Sequence, residues 1–71
     1  MKILDLHGFS HAQAIEACHL FINTNWGHEM KIITGRSDKM KDIVYKVLQG
    51  YDVDYTFDNP WFYGYVIIRA H

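Results

Sequence analysis

Apolar and polar positions alternate with two different periods along this chain, and the changes of period outline six elements. Residues 3–7 alternate, with Leu4 and Leu6 on one side and Ile3, Asp5 and His7 on the other, as in a strand with one covered face; Gly8 ends it. Ser10 and Gln13 form a capping box, in which each residue's side chain satisfies the other's backbone N–H at a helix start. From there Ala14, Ile15, Cys18 and Ile22 recur at helical spacing up to a break at residues 23–27, which predicts a helix over residues 10–24. Residues 30–34 form a short apolar run before Gly35, the mark of a second strand closed by a tight turn.

Ser37 or Asp38 can cap a second helix, in which Met40, Ile43, Val44, Val47 and Leu48 make one apolar stripe and Gly50 provides the stop. Val53, Tyr55 and Phe57 alternate with Asp52, Asp54 and Thr56, so a third strand with one wet face is expected. Asp58, Asn59 and Pro60 make a turn, and residues 62–69 are rich in β-formers, with Tyr65, Val66, Ile67 and Ile68 expected to be buried in a fourth strand. A strand-helix-strand succession implies a right-handed parallel crossover. The predicted fold is therefore α/β, a two-layer sandwich in the order β-α-β-α-β-β, with a mixed four-stranded sheet and both helices on one face.

Composition limits what such a fold can be. Seventy-one residues, 49% hydrophobic and 15% aromatic, hold one domain over residues 1–71 and enough apolar surface for a compact core. A chain this short buries only about 60% of its unfolded surface, so dimerisation is one route to added stability. No apolar run approaches the ~20 residues that span a bilayer, so no membrane partner is expected. Cys18 is a lone cysteine without an internal partner, and no charged segment followed by an apolar one opens the chain; the cytoplasm is the expected compartment.

A net charge of −1 argues against a broad grip on a polyanion, but the charge is uneven. Between residues 31 and 46, Lys31, Arg36, Lys39, Lys41 and Lys46 meet only Asp38 and Asp42. Within that stretch Thr34, Gly35, Arg36 and Ser37 join a strand end to a helix start, where free amides and the helix dipole attract phosphate. Gly35 lets a ligand approach the backbone, Arg36 has the fork that matches phosphate, Thr34 and Ser37 carry hydroxyls, and Lys39 and Lys41 lie in the first helical turns. The same spacing equally suits an ordinary strand-to-helix turn with solvated lysines.

Asp5 and His7 offer a second constellation, a carboxylate and an imidazole at the carboxyl end of the first strand, the edge where parallel α/β sheets take their ligands. Such a pair can do acid-base work or hold a divalent metal ion such as Mg; its commoner role is to satisfy loop amides. If the first two strands are neighbours, the two constellations meet. Neither the spacing of His11 from His7 nor the scattered His19 and His28 makes a zinc signature, and Cys18 falls on an apolar stripe and is assigned to the core. Trp61, Phe62, Tyr63 and Tyr65 surround the final turn, where aromatics can stack on unpaired bases or pack in a core or dimer.

Leu4-Asp5-Leu6-His7-Gly8 resembles the opening signature of the Smr (small MutS-related) family. Ile32-Ile33-Thr34-Gly35-Arg36 and Lys41-Asp42-Ile43-Val44 follow at the family's spacing, so that the resemblance covers residues 3–69. Family members commonly carry His-Gly-x-Gly or Thr-Gly-x-Gly at the second motif, where this chain has Ser37 in place of the second glycine, and a glycine-rich approach to the last strand, where this chain has residues 59–64. Smr domains occur alone or fused to mismatch-recognition-like ATPases or helical RNA-binding repeats, several are endonucleases that nick DNA or cut RNA, and their fold is similar to the C-terminal domain of a bacterial translation initiation factor. The resemblance implies roles for Asp5 and His7 in cleavage and for Thr34, Gly35 and Arg36 in holding the nucleic-acid backbone.

Three functions follow as expectations. The first is a small endonuclease on DNA or RNA, with His7 transferring a proton, Asp5 orienting it or helping to position a divalent ion, and Arg36 offsetting phosphate charge. The second is a non-catalytic nucleic-acid-binding module built on the same amides and Arg36. The third is a protein-interaction domain, or a homodimer, that docks through the aromatic C-terminal loop.

Overall fold

The computed structural model describes residues 1–57 and 64–70. They form β1 (Lys2–Asp5), α1 (His11–Thr24), β2 (Glu29–Ile33), α2 (Asp38–Leu48), β3 (Val53–Phe57) and β4 (Tyr65–Ala70). One mixed sheet has the strand order β1-β2-β4-β3. The β1–β2 pair is parallel, as a crossover through α1 requires, and β4 runs antiparallel to both β2 and β3. The expected α/β order β-α-β-α-β-β is the observed one. The turn at Asp58, Asn59 and Pro60, the aromatics Trp61, Phe62 and Tyr63, and the first residues expected of the fourth strand lie outside the described residues.

Both helices start where a side chain can take up their free amides. Ser10 Oγ accepts the Gln13 N–H at 3.2 Å while Gln13 Oε1 accepts the Ser10 N–H at 2.9 Å, which completes the capping box. Ser37, rather than Asp38, caps α2, with Oγ accepting the Met40 N–H at 3.1 Å. Such caps stabilise a helix by about 1 kcal/mol each. The stripe Met40, Ile43, Val44, Val47 and Leu48 is buried along the whole of α2.

A single apolar cluster joins Ala14, Cys18 and Ile22 of α1, the α2 stripe, Leu6, and Met30, Ile32, Val66 and Ile68 from one face of the sheet. Register explains the choice of face. Met30 lies opposite Ile68 and Ile32 opposite Val66, and all four are fully buried. The other face carries Ile3 and Asp5 from β1, Glu29, Lys31 and Ile33 from β2, Tyr65, Ile67 and Arg69 from β4, and Asp54 and Thr56 from β3. An Arg69–Glu29 ion pair of 2.8 Å spans it, and Tyr65 and Ile67 are half-buried there rather than buried, because strand side chains alternate and the core takes only one side. Among the described residues no helix is long and apolar enough to cross a membrane.

Two expectations need correction. Ile15 is 42% exposed, since positions 14, 18 and 22 already fill the narrow strip of α1 that meets the core. α2 does end just before Gly50, on a right-handed Gln49 cap, with the Gly50 N–H donating to the Val47 carbonyl at 3.1 Å. β1 also ends sooner than residue 7, for a reason that belongs to the site. Ile32→Ala should cost about 2–5 kcal/mol through lost burial and a residual cavity. Ile15→Ala should stay within about 0.5 kcal/mol of wild type. Denaturant unfolding of the two variants checks this difference.

Candidate functional site

Parallel pairing places the carboxyl ends of β1 and β2 side by side. Asp5 pairs with Ile33, and the Leu6 N–H extends the ladder by donating to the Ile33 carbonyl at 3.0 Å. The loops that follow therefore leave the sheet from the same edge.

The first loop is a turn built by Asp5. Its Oδ1 accepts the His7 N–H at 2.9 Å, the Phe9 N–H donates to the Leu6 carbonyl at 3.0 Å, and Gly8 takes φ +80°, a left-handed conformation that suits glycine. His7 thus lies beyond the end of the strand, and the expected side-by-side pair on a strand face is not formed. The Asp5 carboxylate holds the backbone of His7, and no hydrogen bond or ion pair joins it to the imidazole. The exposed His7 side chain lines an open groove of about 510 Å³ with Gly8, Phe9, Gln13, Glu16, Ala17 and Leu20, on the α1 side; none of residues 34–41 lines that groove.

The second loop is fixed from below by a close backbone crossing. The Gly64 carbonyl accepts both the Thr34 N–H at 2.8 Å and the Gly35 N–H at 3.0 Å. The Thr34 side chain is buried and its hydroxyl donates to the Gly35 carbonyl at 3.1 Å. A Cβ on Gly64 would overlap the Gly35 carbonyl oxygen and sit 2.6 Å from Thr34 Oγ1, so only glycine fits. Thr34 and Gly35, expected to meet phosphate through their amides and hydroxyl, instead have these groups engaged in shaping the loop. Ser37 Oγ is engaged as the α2 cap. The groups presented outward are the exposed side chains of Arg36 and Lys39, whereas Lys41 is half-buried. Gly64 is the residue that sequence reasoning missed, although an isolated glycine entering a strand is a recognised mark of a close backbone approach.

The residues at this edge do not form a built metal site. Asp5 supplies a single carboxylate, already bound through Oδ1, and no group of three or more His, Cys, Asp or Glu side chains that could hold a metal ion is gathered among the described residues. No step is derived through a divalent ion. Cys18 is fully buried, and loss of solvent pushes its thiol from 9.0 up to about 11, which makes it a core residue and not a nucleophile. No family model, curated protein or solved structure matches the chain.

The crossing separates two glycines with different reasons to be glycine. A methyl group on Gly35 meets nothing within 4 Å, so Gly35→Ala should cost only the strain of φ +68°, about 1–2 kcal/mol. Gly64→Ala must push two backbone segments apart and should cost about 4 kcal/mol or more. Equilibrium unfolding measures both, and equal costs would contradict the crossing.

Proposed function

We propose that this domain binds nucleic acid, DNA or RNA, at the carboxyl edge of β1 and β2 and cleaves its phosphodiester backbone with His7 as the proton-transfer group. The observation that carries this reading is the Asp5–Ile33 pairing, which brings the exposed His7 turn and the exposed Arg36 and Lys39 side chains to one edge of the sheet. Arg36 forks onto phosphate oxygens, and Lys39, in the first turn of α2, adds charge beside it. Arg36 and Lys39 put two exposed cations at this edge in a chain of net charge −1, whereas Lys46 lies at the other end of α2 in an ion pair of 3.1 Å with Asp42. His7, held by its backbone and exposed at its ring, donates a proton to the departing oxygen or accepts one from the attacking group. The resemblance of residues 4–8 to the Smr signature points to the same chemistry.

A second reading, a binding module without cleavage, is favoured by one observation: the Asp5 carboxylate grips the His7 N–H, and among the described residues no carboxylate is paired with the imidazole to orient it. Kinetics and binding of point variants separate the two. Arg36→Ala should weaken binding whatever the sequence and reduce the salt dependence by about one phosphate contact. His7→Ala should leave binding nearly intact and abolish cleavage, because a phosphate clamp acts on ground-state affinity and a proton-transfer group on the transition state. Labelled single-stranded, duplex and branched DNA and RNA, each with and without chelator, are the substrates. Binding without cleavage by wild type would leave the second reading in place, and no binding at low salt would remove both.

A further inference from the structure

We infer that two copies of this chain associate about a two-fold axis at the outer edge of β1, so that their sheets join into one and their α1 helices meet across the seam. The inference is independent of the nucleic-acid reading above.

β1 is an end strand of the sheet, with β2 on one side and no strand on the other. An open strand edge is a template for a further strand. Backbone groups alternate in direction along a strand, and the Leu6 N–H reaches β2 by donating to the Ile33 carbonyl at 3.0 Å. The N–H and C=O of Leu4 therefore also point to β2, and those of Ile3 and Asp5 point outward. In an antiparallel pair, outward residues that lie opposite each other exchange both of their hydrogen bonds. One register satisfies these groups: Ile3 against the partner's Asp5, Asp5 against the partner's Ile3, and Leu4 against the partner's Leu4 on the axis. It also keeps the helical layers of both copies on one side of the joined sheet.

β1 has only 4 residues, so strand bonds alone would hold such a pair weakly, and the helical side supplies the rest. Leu4, Phe9, Ala17, Leu20 and Phe21 line an apolar groove between β1 and α1. Leu20 is 70% exposed, more than any other large apolar side chain among the described residues. Placing Leu4 on the axis brings the two grooves together, and each Leu20 then packs against the other copy and leaves water. Charge decides that the occupant is a second copy. Lys2 opens β1 on the same face as Leu4, while Glu16 flanks the opposite end of β1, beside His7 and Gly8. Both are exposed, and neither is in an ion pair among the described residues. The antiparallel register sets Lys2 opposite the partner's Leu6, next to the partner's Glu16, and the same contact recurs across the axis. The face is its own electrostatic complement, as a two-fold interface requires.

The test is sedimentation equilibrium of the whole domain from roughly 1 μM to 1 mM, the span of weak affinities, in which the inference expects a monomer–dimer equilibrium. Leu20→Lys, at a position that the monomer leaves exposed, should raise the dissociation constant roughly 10-fold or more. Lys2→Glu and Glu16→Lys should each weaken the dimer, and the two reversals combined should return it to within roughly 3-fold of wild type, because the pair is then restored with its signs exchanged. Hydrogen exchange of wild type needs no variant: the Ile3 and Asp5 amides should slow as protein concentration rises. A monomer throughout the range would leave the edge to some other strand and overturn the inference. A dimer indifferent to Leu20→Lys, a double reversal no better than the single ones, or Ile3 and Asp5 amides that exchange at the same rate at every concentration would also overturn it.

Discussion

The arrangement at the functional edge depends on the passage of Gly64 beneath Gly35. Two amides, Thr34 and Gly35, converge on one carbonyl, and the crossing is so close that a single Cβ on Gly64 would overlap the Gly35 backbone. It lies one residue beyond the last β2–β4 pair, Ile33 opposite Tyr65, and precedes the Ser37 cap of α2. Buried backbone groups must be paired, so the contact that closes this corner also decides which amides a ligand can reach. The amides that looked most available in sequence are the ones the fold uses, and the side chains of Arg36 and Lys39 are what the loop presents outward.

The Asp5 turn has a similar effect across the edge. A carboxylate two residues from an imidazole on an extended chain would share a face with it, but a short acidic side chain at a strand end competes for the nearby backbone N–H. That competition is won locally: Asp5 binds the His7 amide, β1 ends, and His7 projects from a turn whose shape Gly8 completes. Asp5 thereby acts on His7 through its backbone. The edge carries a few exposed charged or titratable side chains on backbone that is hydrogen-bonded within the fold.

How much of this was legible in the sequence depended on how local each cause is. The capping box of Ser10 and Gln13, the Ser37 cap and the α2 stripe all lie within a turn or two of chain, and each appears as expected. The order of elements and the mixed sheet followed from the spacing of those signals. What failed was set by distant contacts or by competition. The Thr34 N–H, one residue past β2, is taken by the Gly64 carbonyl far along the chain, and nothing near Thr34 announces that partner. Tyr65 and Ile67 sit in an apolar run that suggests burial on both sides, yet only Val66 and Ile68 face the core. In the candidate site, the edge shared by His7 and Arg36 was foreseeable from a parallel β1–β2 pair, while the engagement of Thr34, Gly35 and Asp5 with backbone was not.

Residue-resolved hydrogen exchange tests the central claim, that the loop's inner amides belong to the fold and its outer side chains to the ligand. Amides that open only with global unfolding exchange at the slowest rate in a domain, and amides facing solvent exchange without unfolding. The account predicts that Thr34 and Gly35 exchange as slowly as Ile32 in the core, that Arg36 exchanges rapidly, and that saturating oligonucleotide leaves the first two unchanged. Rapid exchange of Thr34 and Gly35 in the free domain, slowed when nucleic acid is added, would show that these amides serve the ligand and would contradict it.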